Sequence, residues 1–365
     1  MPNNKLSIIS DDRKHVFICH TVNHFYRICL FLSRYFVRQE TNKPLVIVPK
    51  SALISPELLE SISMNFNWVE LVLVDDLAVY PYRKFIRVIC WMGFASLTLR
   101  RIKKLKANRA NWCDLSFLPN TQIYIFNDSQ LLSEVVMHGR RGVILVEEGA
   151  SNYLEVEDLY SFWVRIIMRA LGAHYRLGRS PHIKQVFLSM CQSCPMDLAR
   201  KTQSIDLNLT CLPEHSVKQI LDSFLHSGFS NVPINNSGQI LLVVMQRLNL
   251  LGLSEEECKD FYQLVVQHLT VPGRRIFLKP HPSDRIDYGD IEGAEFSDGS
   301  IPLEVLIELM SGKTRSGLAG YSLIKSSVAN VGQSIEWDVA FPEIEILEQL
   351  TKSALIDYRE TLLSI

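Results

Sequence analysis

Three short stretches bring together side chains able to do chemistry. Glu147-Glu148-Gly149 follows the apolar run Val143-Ile144-Leu145-Val146, which reads as a strand. Adjacent strand residues point to opposite faces, so one carboxylate faces a substrate and the other the scaffold. A carboxylate at a strand's carboxyl end, beside a glycine that permits close approach, suits a base for an acceptor hydroxyl. Acidic pairs before glycine are also ordinary turn chemistry. The second stretch, Lys279-Pro280-His281-Pro282-Ser283-Asp284, ends the run Ile276-Phe277-Leu278. Its two prolines stiffen the backbone around His281, as an acid or a phosphate ligand requires; the plainer alternative is a histidine that caps a turn. In the third, Gly317 to Ser327, small and hydroxylated residues are expected near a helix start, where amides and the dipole attract an anion. Serines there also act as caps.

Positioning these groups takes a scaffold of buried strands. His15 to Cys19 reads as a strand leading through His20-Thr21-Val22-Asn23 into a helix over Phe25 to Arg38. Apolar runs at Pro44 to Val48, Val69 to Val74, Ile123 to Phe126 and Val143 to Val146 have the look of parallel strands covered on both faces. From Ser151 to about Thr210 the pattern is helical and predicts a bridge between domains. A second unit begins at Gln239 to Met245 and continues through a helix over Glu255 to Leu269, a strand over Arg275 to Lys279 and a helix over Pro302 to Ser311. The fold class is therefore α/β with two Rossmann-like domains facing a cleft, divided as 1–205, with its helical linker, and 206–365. No glycine-rich dinucleotide fingerprint is present.

The 38 basic and 39 acidic side chains nearly cancel, which disfavours a nucleic-acid partner. Eight scattered cysteines fit buried thiols, and the lone pair Cys191 and Cys194 lacks the further ligands zinc needs. No secretion signal or spanning run is read, so a cytoplasmic protein is expected. Residues 83–106 place cations around an apolar centre, a pattern that fits contact with the inner membrane surface as well as a core helix with a basic end.

In their order, the motifs Glu147-Glu148-Gly149, His281-Pro282 and Ser326-Ser327 resemble those of the bacterial two-domain sialyltransferases. They are most similar to glycosyltransferase family 52, the lipooligosaccharide sialyltransferases, with the capsule polysialyltransferases as near relatives. Ile18-Cys19-His20-Thr21 and Tyr124 to Asp128 share the likeness. The resemblance implies the GT-B arrangement and inverting transfer of sialic acid from CMP-sialic acid to a cell-surface glycan, lipid-linked or capsular. It implies no metal and no cofactor. It assigns the base to Glu147 and the leaving phosphate to His281. The donor side then holds Lys279, His281, Pro282, Gly320, Ser322, Ser326 and Ser327, with Ser322 competing for the serine role. The acceptor side holds Glu148, Gly149, His20 and Thr21, and the amino-terminal domain takes the acceptor. Alternatives are a related transferase with another nucleotide-sugar donor and a non-catalytic subunit of a polysaccharide assembly.

Overall fold

The structure is a computed structural model and describes residues 14–36, 43–52, 54–74, 121–139, 142–148, 150–153, 155–156, 160–170, 177–225, 239–297, 299, 301–314, 318–325, 328, 335–344 and 347–364. The membrane-contact segment 83–106, Gly149, Ser326 and Ser327 lie outside the described residues. The chain divides into two compact units, Met1–Ser227 and Gly228–Ile365.

The first unit is built on a parallel sheet of seven strands: β1 (Lys14–Ile18), β2 (Leu45–Pro49), β3 (Glu70–Val74), β4 (Thr121–Ile125), β5 (Val143–Val146), β6 (Ile183–Leu188) and β7 (Thr202–Ser204). Their order is β3-β2-β1-β4-β5-β6-β7, the doubly wound Rossmann order carried one strand further. Every residue of β2, β4 and β5 is buried, as apolar strands covered on both faces must be. Phe17 of β1 stacks on Tyr124 of β4 at 4.5 Å, which seals the joint where the strand order reverses.

Helix α1 (Val22–Tyr35) starts straight after β1, because the Thr21 side chain accepts the His24 N–H and caps it. It therefore begins earlier and ends earlier than the sequence periodicity predicts. Among the remaining helices of this unit are α2 (Pro56–Asn65), α3 (Leu131–Gly139), α4 (Phe162–Ala170) and α5 (Glu214–Leu225).

Two sequence expectations change here. The stretch 151–210 is not a helical bridge, because β6 and β7 lie within it and extend the first sheet. The first unit also runs past the expected boundary at 205: α5 packs against α2, and Gln219 donates from its side chain to the Asn65 carbonyl.

The second unit carries a five-stranded parallel sheet in the order β10-β9-β8-β11-β12, from β8 (Gln239–Val244), β9 (Arg274–Lys279), β10 (Ala294–Phe296), β11 (Leu318–Ile324) and β12 (Glu336–Phe341). Relative to its own first strand this is again the 3-2-1-4-5 order, with the reversal between β8 and β11. Helix α6 (Glu255–Leu269) has the span the sequence predicts, fixed by a Ser254–Glu257 capping box. Helices α7 (Leu303–Thr314) and α8 (Lys352–Ser364) complete the described framework. The two Rossmann-like α/β units expected from the sequence are thus present. No helix among the described residues is long and apolar enough to cross a membrane.

Candidate active site

In open α/β sheets, ligands bind beyond the carboxyl ends of the strands where the order reverses. In the first unit that edge gathers the ends of β1, β4 and β5. Glu147 and Glu148 leave β5 in opposite directions, as the alternation rule requires.

Glu147 is 1% exposed. Its Oε2 accepts the Tyr153 hydroxyl at 2.7 Å and the Ser189 N–H at 2.6 Å, while Arg27 Nη1 stands 3.7 Å from Oε1. Burial and the neighbouring Glu147 charge push the Tyr153 phenol well above its ordinary pKa, so it stays a donor. Glu148 keeps 26% of its side chain exposed. Its Oε1 lies 2.9 Å from His24 Nε2, its Oε2 accepts from Asn127 Nδ2 at 2.7 Å, and its backbone N–H donates to Asn152 Oδ1 at 2.8 Å. The base assigned from the motif, Glu147, is therefore the buried member of the pair, and Glu148 is the one in contact with solvent.

His20 and Thr21 have structural partners at the same edge. His20 is buried with Nε2 2.9 Å from Ser133 Oγ, and burial, helped by nearby His24, lowers its pKa to about 3. Thr21 caps α1. His24, Asn127 and Tyr153 are the groups the motif reading missed. The available signal for His24 was its place four residues after His20 at a helix start, on the same face.

In the second unit, the carboxyl ends of β8 and β9 meet at Val244 and Lys279, which pair in register. His281 and Pro282 follow, both exposed. The Ser283 N–H donates to His281 Nδ1 at 3.2 Å, and Ser283 Oγ lies 2.9 Å from the same nitrogen. Nδ1 is therefore the acceptor, and Nε2 carries the hydrogen of the neutral ring. The protein packed on one side of the ring, then the cations Arg247 and Lys279, lower the His281 pKa below its ordinary value, with Asp284 opposing and the ring's exposed side limiting the shift. A neutral His281 offers an N–H from Nε2 without demanding an anion of its own. Lys279 is buried, and its Nζ donates to the Gly299 carbonyl at 3.0 Å.

The third stretch departs from expectation. Gly320 and Ser322 lie within β11 rather than at a helix start. Ser322 is fully buried and donates to the Ile324 carbonyl at 3.1 Å, which leaves it no surface for a phosphate. Gly320 lies under the Trp337 ring so closely that a Cβ there would stand 2.3 Å from the ring, so its lack of a side chain serves packing.

Each Rossmann-like unit thus presents polar side chains at its strand ends, a partly exposed carboxylate in the first and a histidine turn near cations in the second. The chain belongs to the alpha-2,8-polysialyltransferase family (POLYST), which matches residues 18–308. It is thus a sialyltransferase, in the group named above as near relatives of the lipooligosaccharide enzymes. The match takes in both glutamates and His281, while Ser322, Ser326 and Ser327 fall beyond it. No curated protein matches the chain. Among solved structures it is similar to an alpha/beta-galactoside alpha-2,3-sialyltransferase from Photobacterium phosphoreum, at 11% identity and a TM-score of 0.48, over 96% of this chain and 95% of that one. It is likewise similar to the UDP-GlcNAc 2-epimerase of Neisseria meningitidis, at 11% identity and a TM-score of 0.48, over 96% and 91% of the two chains.

Proposed function

We propose that the protein transfers sialic acid from CMP-sialic acid to a saccharide acceptor by a single inverting displacement that needs no metal ion. The observation that carries this reading is the family match across residues 18–308, which spans the acidic pair and the His-Pro turn. On this reading the second unit holds the donor and the first unit the acceptor. Glu148 takes the proton from the acceptor hydroxyl, because its carboxylate alone of the pair keeps solvent contact while His24 and Asn127 hold it in one orientation. Glu147 fixes the strand edge through Tyr153 and Ser189.

The motif resemblance favours Glu147 instead, and one observation supports that second reading: among the described residues its Oε1 accepts no hydrogen bond and has Arg27 Nη1 at 3.7 Å. At the donor, His281 Nε2–H hydrogen-bonds the departing phosphate, and the charges of Lys279 and Arg247 favour the anion that develops. As bond breaking runs ahead of attack, the sugar passes through an oxocarbenium-like state, and a base on the opposite face gives inversion. The acceptor is a cell-surface glycan, and the chain works at the inner face of the membrane, with residues 83–106 as the proposed contact.

Incubation with CMP-sialic acid or UDP-glucose, and with galactose-ended or sialic-acid-ended acceptors, tests the reading. Sialylated product formed in excess EDTA is expected from CMP-sialic acid alone. Transfer from UDP-glucose only, or a rate that magnesium restores, would overturn the donor or the metal-free mechanism respectively.

A further inference from the structure

The cationic turn contains a residue that none of the three motifs includes. Arg247 follows β8 by three positions, beside the point where the second sheet reverses. Its loop is held on both sides. The Met245 N–H donates to the Lys279 carbonyl at 2.9 Å, and the buried Tyr262 hydroxyl accepts the Gln246 N–H at 2.5 Å and meets the Gln246 carbonyl at 3.1 Å. From this fixed base, Arg247 Nη1 donates to Ser283 Oγ at 3.2 Å. That hydroxyl thus accepts from the guanidinium and donates to His281 Nδ1, at 2.9 Å. A continuous chain of hydrogen bonds runs from Arg247 through Ser283 to His281.

Charge balance at this turn is incomplete. Among the described residues Arg247 has Ser283 as its side-chain partner rather than a carboxylate, and its buried Nε has no hydrogen-bond partner. The neighbouring Asp284 is occupied elsewhere, accepting from the Tyr288 hydroxyl at 3.0 Å and the Ile286 N–H at 3.2 Å. An arginine on a fixed loop, with no carboxylate paired to it among the described residues and a histidine N–H beside it, suits an anion.

We propose that Arg247 is a further donor-binding residue, the fixed positive charge for the nucleotide's phosphate, and that by donating to Ser283 Oγ it turns that hydroxyl's hydrogen toward His281 Nδ1, which adds to the Ser283 backbone N–H in holding the tautomer that presents Nε2–H to the phosphate. The phosphate ligation rests on the donor reading above. The tautomer relay rests only on the Arg247–Ser283–His281 geometry. Arg247 thus combines a binding role with a positioning role, and the two are separable.

The test is calorimetric binding of CMP, UMP and phosphate-free cytidine to the full chain and to R247Q, R247K and S283A, with thermal melting as the control for folding. Loss of a hydrogen bond to a charged group predicts about 10- to 100-fold weaker CMP binding in R247Q, with a smaller loss in R247K and cytidine affinity unchanged. In S283A the charge remains, so CMP binding falls less; the backbone N–H still favours the Nε2–H tautomer, and the nitrogen-15 shifts of His281 should report a partial rise of the Nδ1–H form. CMP binding equal to wild type in folded R247Q would overturn the proposal while leaving the donor reading intact. If the wild type binds UMP in place of CMP and R247Q loses it, the donor reading fails and the Arg247 assignment stands. An unaltered His281 spectrum in S283A would remove the relay. Should R247Q not fold, R247M and R247A carry the comparison, and CMP affinity equal to wild type in whichever of them folds would overturn the charge role.

Discussion

His24 Nε2 lies 2.9 Å from Glu148 Oε1, and the other ring nitrogen accepts the His20 N–H at 3.1 Å. The backbone donor makes Nδ1 the acceptor, so the ring's hydrogen sits on Nε2 and points at the carboxylate. Strand end, helix start and acidic motif are thereby tied together through one imidazole. His24 acts here as a positioning residue for Glu148, and His24→Ala should lower kcat by about 10-fold or more with the donor KM little changed. Rescue separates this from loose packing: His24→Gln, which returns an amide donor near Glu148, should recover part of kcat that His24→Ala loses. A rate loss that tracks the melting temperature, with no recovery in His24→Gln, would reduce His24 to a packing residue.

The acidic pair can be divided by paired amide substitutions. Glu148→Gln keeps the hydrogen-bonding shape toward Asn127 but removes the proton acceptor, so turnover should fall by about 100-fold or more with CMP affinity retained. Glu147→Gln places an amide opposite the Tyr153 hydroxyl and the Ser189 N–H, both donors in the wild type, and its main effect should be a lower melting temperature. If folded Glu147→Gln is the inactive variant and Glu148→Gln turns over, the base is the buried carboxylate, and the site must open to expose it.

For Gly320 and Ser322 the expected effects are on stability. Gly320→Ala would drive a methyl into the Trp337 ring, a small-to-large change inside a packed sheet that costs about 1 to 3 kcal/mol. Ser322→Ala removes one buried hydrogen bond to the Ile324 carbonyl, worth about 1 kcal/mol. Denaturant unfolding reads both, and CMP titration of the folded variants should match wild type. Weaker CMP binding in either would restore the donor role that the motif resemblance assigned to them.

The strands most legible in the sequence were those with no polar interruption. Val143 to Val146 and Gln239 to Val244 are buried almost throughout, and their apolar runs say so without a partner in view. In β6 the exposed Lys184 and half-buried Gln185 break the run, and β7, Thr202-Gln203-Ser204, has no apolar residue at all. Both are strands only because the sheet has an edge to receive them, and that is tertiary information. The glycine and serine content of Leu318 to Ile324 suggested a turn and a helix start, whereas pairing with β8 and β12 and the Trp337 ring over Gly320 make it a strand. At the acidic pair, alternation announced that the two carboxylates diverge. Which one faces solvent depends on Tyr153, Ser189 and His24, which are distant in space from one another until the sheet forms.

Acid should weaken the first unit through His20. In the folded chain burial and then the nearby His24 lower its pKa from 6.5 to about 3, and its Nε2 lies against Ser133 Oγ. The unfolded chain binds this proton near pH 6.5, whereas the folded chain resists it until about pH 3. A depressed histidine pKa means that the unfolded state holds more protons throughout that window, so stability rises with pH across it. The contribution is fully present above pH 6.5, falls by up to about 1.4 kcal/mol per pH unit below it, and levels off near pH 3. His20→Gln removes the titrating group while leaving an amide able to reach Ser133. Its unfolding free energy, measured by urea titration from pH 7 down to pH 4.5, should therefore decline less steeply than wild type by about one proton's worth of slope. Equal slopes in the two proteins would show that His20 takes up its proton in the folded state, and that the edge holding Glu148 is open to water.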